Sequence, residues 1–282
     1  MDTWNIAILS RIPRLVSILV TGASLSIAGL IMQTITRNRF VSPSTAGTMD
    51  WCRFGILIAI LLFGSQSALV QIIVAFVVSL LGTLLFMKVL ARIQYKDAVI
   101  VPLIGMMMGN VVSSITTFFA YRLDMIQNMS SWMQGDFALI IKGNYELLYL
   151  GIPFLLIATF YAHHFTIAGM GKSFSNNLGL NHERIVMIGL VVISVITSVV
   201  VVTVGSIAFI GLIIPNLISM YKGGNVKATI FDTAMLGAIF VLICDIIGRV
   251  LIYPYEIPIS VIVSVVGSVL FLCIIFRRNR HA

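Results

Sequence analysis

Gly171-Lys172-Ser173 are residue types that close a phosphate-binding loop. In such a loop glycine N–H groups wrap the phosphates and the lysine reaches them, which needs the spacing G-x-x-x-x-G-K-[ST]. The first glycine of that pattern would fall at position 166, which is Thr166. A phosphate loop also follows a buried strand, whereas this stretch follows "YELLYLGIPFLLIATFYAHHF", an apolar run of membrane-span length. No Asp at the end of an apolar strand is available to hold Mg²⁺. The nucleotide reading fails, and the segment needs another role.

The remaining groups capable of chemistry sit inside apolar runs, where charge is costly and is usually paired or functional. Asp245 and Arg249 in "CDIIGR" are four apart, so on a helix they share a face and can pair. Asp50 and Arg53 in "MDWCR" are three apart and read as a second intramembrane pair. Gln33 and Asn110 are the polar side chains best suited to face a translocation path. No series of acids or histidines runs through the spans as a proton relay would require. His163, His164, His182 and His281 all fall in loops or the tail. Neither His-Glu-x-x-His nor Gly-x-Ser-x-Gly occurs, so no enzyme, cofactor or metal site is read here. Cys52, Cys244 and Cys273 lie in apolar runs without metal-ligand spacing and read as packing residues.

These groups must be positioned by membrane helices. The 282 residues are 59% hydrophobic and 10% charged, with a mean hydropathy of +1.07. A soluble domain carries roughly 25% charged residues. Nine apolar runs approach the roughly 20 residues that cross a bilayer: 15–36, 45–63, 67–88, 98–121, 145–161, 185–205, 206–221, 228–252 and 256–275. The second, fifth and seventh are short or interrupted. The formal charge of +8 follows the positive-inside pattern and not a nucleic-acid surface. One set of loops holds twelve basic residues: Arg37, Arg39, Lys88, Arg92, Lys96, Lys172, Arg184, Lys222, Lys227, Arg277, Arg278 and Arg280. The opposite set holds four, Arg11, Arg14, Arg122 and Lys142. The first set and the carboxy terminus are therefore expected inside and the amino terminus outside. "GMMMG" (105–109), the Ser260/Ser264/Ser268 face and "TGASLSIAG" (21–29) are small-residue surfaces that let helices approach closely in lipid. The fold expected is an all-α polytopic helix bundle, with residues 1–282 forming one transmembrane domain.

Several segments together resemble the FecCD-type permeases, the membrane subunits of bacterial ABC importers for iron-siderophores, haem and vitamin B12. "SRIPRLVSILVTGASLSIAGLIMQTITRN" is similar to the family's span that opens with Arg-x-Pro-Arg. "IAFIGLIIPNLISMYKGGN" is similar to its G-F-x-G-L-x-x-P segment. "LGAIFVLICDIIGRVLIYPYEIPISVIVSVVGSVLFLCII" resembles its closing pair of spans, with Asp-x-x-x-Arg and Glu-x-Pro. "TRNRFVSPSTAGTMDW" and "SSWMQGDF" resemble the subgroup that imports catecholate siderophores such as petrobactin. The resemblance implies the BtuC-like permease fold in a bacterial cytoplasmic membrane. The partners it implies are a cytoplasmic ATPase, an extracytoplasmic siderophore-binding lipoprotein, and a second permease subunit, read as a different chain in preference to a copy. It also makes residues 163–184 a coupling segment docked on the ATPase, carried by Gly171, Lys172, Leu178 and Gly179. By the same resemblance, Arg11, Arg14 and Arg249 dock the binding protein.

Three departures from the family pattern stand out. The family carries one further span ahead of the first read here, so a longer start is expected. Asn216 and Ser219 replace the usual His and Arg, and Asp50 and Arg53 occupy a span that is usually uncharged. A secondary transporter or channel of unrelated fold, or a non-transporting remnant, are the alternatives to an importer permease.

Overall fold

The computed structural model describes residues 7–44, 47–64, 68–92, 100–138, 140 and 145–279. Lys96, Lys142, Arg280 and His281 lie outside the described residues, as do positions 45–46, 67, 98–99 and 280–282 of the expected spans and tail. The described residues are helical almost throughout, with no strand among them beyond two isolated bridges. The helices are α1 (Ile12–Thr36), α2 (Thr48–Phe63), α3 (Ala68–Arg92), α4 (Ile100–Arg122) and α5 (Ile126–Met133). They continue with α6 (Gly151–Phe160), α7 (Ala162–Gly169), α8 (Lys172–Asn177), α9 (His182–Val204) and α10 (Ile210–Lys222). α11 (Val226–Val250) and α12 (Ile259–Asn279) complete the chain.

Local chemistry sets several of these ends. α1 begins with Pro13 in its first turn, where the missing N–H costs nothing. It stops at Arg37, which is left-handed (φ 54°) and returns its N–H to the Gln33 and Thr34 carbonyls. α9 begins at Asn181, whose side chain accepts the Arg184 N–H.

α1 and α9 are the inner helices. Of their apolar stretches 72% and 78% is buried, against 28% for α4 and 33% for α11. Residues such as Ile31, Phe165 and Ile193 form one core, and Leu25, Val199, Ile214 and Val241 another. The stripe "TGASLSIAG" works as expected: a Cβ on Gly22 or Gly29 would run into the backbone of Gly237 or Gly211. α1 therefore meets α11 and α10 backbone to backbone. The "GMMMG" glycines of α4 receive Gly47, whose Cβ position lies 3.0 Å from the Gly105 carbonyl oxygen.

Four described helices are long and apolar enough to cross a membrane by themselves. The expected 145–161 span is a 3₁₀ turn (Glu146–Leu150) running into α6, followed by a 59° bend into α7. The expected 206–221 span is shorter than read. α10 has 13 residues, about 20 Å at 1.5 Å per residue and less than a bilayer core. Residues 205–209 ahead of it are irregular.

Irregular backbone at membrane depth must be satisfied within the protein, and here residues 133–136 do so. Ser206 N–H donates to the Met133 carbonyl (2.9 Å), and Asp136 N–H donates to that of Val204 (3.0 Å). From α12, Ser260 N–H donates to the Gly135 carbonyl (3.2 Å). Gly205 (φ +95°) permits the crossing, since a Cβ there would sit 2.7 Å from the Gln134 carbonyl oxygen.

Gly29→Leu is expected to force α1 and α10 apart. Overpacking of this kind costs about 1–3 kcal/mol, read as a lower thermal unfolding midpoint in detergent. Gly224→Ala, where an added Cβ meets nothing within 4 Å, should leave the midpoint in place.

Candidate functional site

The candidate groups gather at the two ends of the α1–α11 pair, each helix 25 residues long, about 37 Å. One end joins the start of α1 to the end of α11 and the loop after it. Arg14 donates through Nη2 to Asp245 (2.8 Å) and through Nη1 to Glu256 (2.7 Å). Arg249 reaches the other Glu256 oxygen through Nε at 3.5 Å. The side chain of Arg14 is 13% exposed and that of Asp245 5%, whereas Arg249 is 50% exposed. Arg11 is exposed one turn from Arg14.

This corrects the expected pair. Asp245 and Arg249 share a helix but do not bond; Asp245 turns inward to Arg14 and Arg249 outward to Glu256. The i, i+4 spacing allowed the local pair, but Asp245 lies on the buried face of α11, where α1 supplies a closer cation. Glu256 was present in the Glu-x-Pro signal without an assigned role.

The opposite end carries residues 163–184, the expected coupling segment. Gly171 (φ +117°) breaks the chain between α7 and α8, and Gly179 (φ +76°) turns it toward α9. These backbone angles disfavour any side chain. An added Cβ at Gly171 would also come within 3.2 Å of Arg37 Nη1 at the end of α1. Between the two glycines, buried Ser175 donates to the Gly171 carbonyl (2.8 Å) and lies 3.3 Å from His182 Nδ1. Lys172 bonds Glu183 at 2.7 Å, tying the start of α8 to the first turn of α9. Both side chains are exposed, so this pair holds the loop weakly.

Leu178 is 55% exposed, and Phe174 and Met170, four and eight residues earlier, are exposed as well. Only Leu178 of these three was singled out in the sequence; the four-residue spacing is the signal that would have found the others. Thr166 was another omission. Its hydroxyl accepts the Val226 N–H (3.0 Å) and fastens the segment to the start of α11.

The polar residues expected to face a path divide. Asn110 lies on the exposed side of α4 beside Met106, Met107 and Val111. Gln33 is instead buried and donates to the Gly211 and Leu212 carbonyls of α10 (3.2 and 3.1 Å). It holds two helices together and does not line an opening in this chain. Asn216, the departure noted in the sequence, does similar work: it donates to the Arg39 carbonyl at 2.8 Å. Asp50 lies over Gly109, where a Cβ would come within 2.5 Å of its Oδ2. No ion pair within 4.0 Å joins Asp50 to Arg53 among the described residues, and Arg53 Nε is buried without a hydrogen bond. Cys52 packs beside Ser198 (3.3 Å), in keeping with a structural thiol.

A helical bundle with several membrane-length helices, an arginine cluster at one end and an exposed apolar turn at the other defines a multi-pass membrane protein. The chain belongs to the FecCD transport family, which it matches over residues 2–277. It is 58% identical to the petrobactin import system permease protein YclN of Bacillus subtilis, over 97% of this chain and 86% of that protein. It is 38% identical to the ferric-anguibactin transport system permease protein FatD of Vibrio anguillarum, over 97% of this chain and 87% of the relative. A solved inward-facing metal-chelate type ABC transporter has the same fold. It superposes with a TM-score of 0.84 at 23% identity, covering 97% of this chain and 88% of that one. The family is one of transport proteins and not of enzymes.

Gln33→Ala removes the donor shared by two α10 carbonyls and should cost about 1–2 kcal/mol. The expected readout is a lower unfolding midpoint with an unchanged apparent KM for transport. A raised KM at unchanged stability would return Gln33 to the path.

Proposed function

We propose that this protein is the membrane permease subunit of an ABC importer that carries a ferric siderophore of the catecholate type across the cytoplasmic membrane. The observation that carries the reading is the 58% identity to a petrobactin import permease along 97% of the chain. The described chain acts as one permease domain. It works with a second permease subunit, a cytoplasmic ATPase and an extracytoplasmic siderophore-binding lipoprotein.

The geometry supports a division of labour between the two ends. Residues 163–184 present Met170, Phe174 and Leu178 on a turn held by Ser175 and by the Lys172–Glu183 pair. Burial of Phe174 or Leu178 in a groove of the ATPase contributes on the order of 1.5–3 kcal/mol each. A short element seated in such a groove passes the rigid-body motion of the ATPase to α7, and through Thr166 and Arg37 to α11 and α1. At the far end, exposed arginines meet carboxylates of the binding protein, where bidentate pairing fixes register as well as attraction.

Deleting the gene should abolish cellular uptake of iron from petrobactin while sparing uptake from a hydroxamate chelate and from haem. Uptake that persists when the ATPase lacks its catalytic glutamate would overturn an ATP-driven importer. In purified complexes, Leu178→Asp should lower recovery of the ATPase about tenfold, the loss of one buried apolar side chain. The same variant should leave binding-protein docking intact.

A further inference from the structure

We infer that Arg14 is a positioning residue of the docking surface and not one of its contacts, and that it acts through Glu256 on Arg249. The inference rests on the docking role proposed above. A carboxylate from a partner is captured most firmly by a guanidinium that offers two parallel N–H groups. Both terminal nitrogens of Arg14 already donate, Nη1 to Glu256 and Nη2 to Asp245, and Nε is buried, so no edge of its guanidinium is made of two free and accessible nitrogens. It is also the least exposed of the three arginines.

Arg249 is its opposite. It is half exposed, and its ion pair to Glu256 runs through Nε, so its terminal nitrogens are uncommitted. Glu256 divides its two oxygens between the arginines, Oε2 to Arg14 and Oε1 to Arg249. The order of the relay follows from burial. Asp245 fixes Arg14, Arg14 fixes Glu256, and Glu256 holds the base of the Arg249 guanidinium while the fork is left for the incoming carboxylate. Arg11 and Arg249 are then the contacts. Within the group of four, two cations balance two anions, so the cluster adds no net charge to the surface; Arg11 supplies the excess.

The neutrality also fixes the test. Arg14→Met alone would strand a buried carboxylate and risk unfolding. Arg14→Met with Asp245→Asn removes one charge of each sign and leaves long-range steering unchanged. The complete importer, in lipid nanodiscs, is titrated by biolayer interferometry with the binding protein that stimulates ATP hydrolysis by the unmodified complex. Arg249→Ala and the Arg14→Met/Asp245→Asn pair are each expected to weaken docking about tenfold, as for loss of one charge-assisted contact. Combined, the three substitutions should weaken it no more than about twofold beyond Arg249→Ala, because both act on one contact.

Glu256→Gln keeps the Arg14–Asp245 pair and leaves the relay one acceptor oxygen in place of two. It also adds one unit of net positive charge, which favours an acidic partner, so weakened docking by this variant reports the relay and not steering. Retained ATPase association and unfolding midpoint separate positioning from a general structural effect. Losses that multiply to about a hundredfold, or unaltered docking by both Glu256→Gln and the double variant, overturn the relay while the docking role of Arg249 stands. Unaltered docking by Arg249→Ala removes that docking role, and the relay with it.

Discussion

The contact on which the rest of the structure depends is the backbone approach of α1 to α10 and α11. Gly22, Gly29, Gly211 and Gly237 leave no side chain between the helices. Lipid offers no hydrophobic force to bring helices together, so close packing and the hydrogen bonds it permits must do so. Because α1 lies this close, Gln33 can reach the Gly211 and Leu212 carbonyls, and Arg14 can reach Asp245. The irregular stretch before α10 then falls where residues 133–136 meet its backbone, while α12 in turn bonds Gly135.

The two candidate ends are joined by the same helices. α1 carries the arginines at its start and Arg37, beside Gly171, at its end. α11 receives the coupling segment at Val226 and carries Asp245 and Arg249 a helix length away. The exposed apolar turn and the arginine surface are therefore opposite faces of one packed pair. This arrangement matches the demands on an importer subunit, which must answer to an ATPase on one side of the membrane and a binding protein on the other.

Much of this was legible in the sequence, because lipid imposes long apolar runs and places basic residues between them. The nine runs each correspond to described helices, and the small-residue stripes lie where backbones meet. Misreadings arose where a residue's partner is remote in sequence. Asp245 was matched to Arg249 by helical spacing, yet burial turned it toward Arg14, a residue 231 positions away. Gln33 read as a path residue because the α10 carbonyls it reaches lie 178 and 179 positions away, although Pro215, with no N–H for the Gly211 carbonyl, was the local sign of a free acceptor. The seventh run, already short or interrupted in the sequence, is shortened further by irregular backbone at its start, where Gly205 just ahead of it and Phe209 within it both take positive φ. The apolar turn was only partly seen, since Met170 and Phe174 look like ordinary membrane residues until their exposure is known.

The Arg14–Asp245 bond also bears on how the protein is made. It closes a loop of 231 residues, and loops of that length are formed late because chain entropy opposes them. During synthesis α1 emerges with its arginine long before α11 exists, so Arg14 must stay in the interfacial water near the helix end. Asp245 arrives 231 residues later with its counter-ion already waiting. The buried bond thus becomes a signature of a chain that has passed α11: a nascent chain halted ahead of that helix cannot form it. The same bond that ties α1 to α11 marks the passage from inserted helices to a packed subunit.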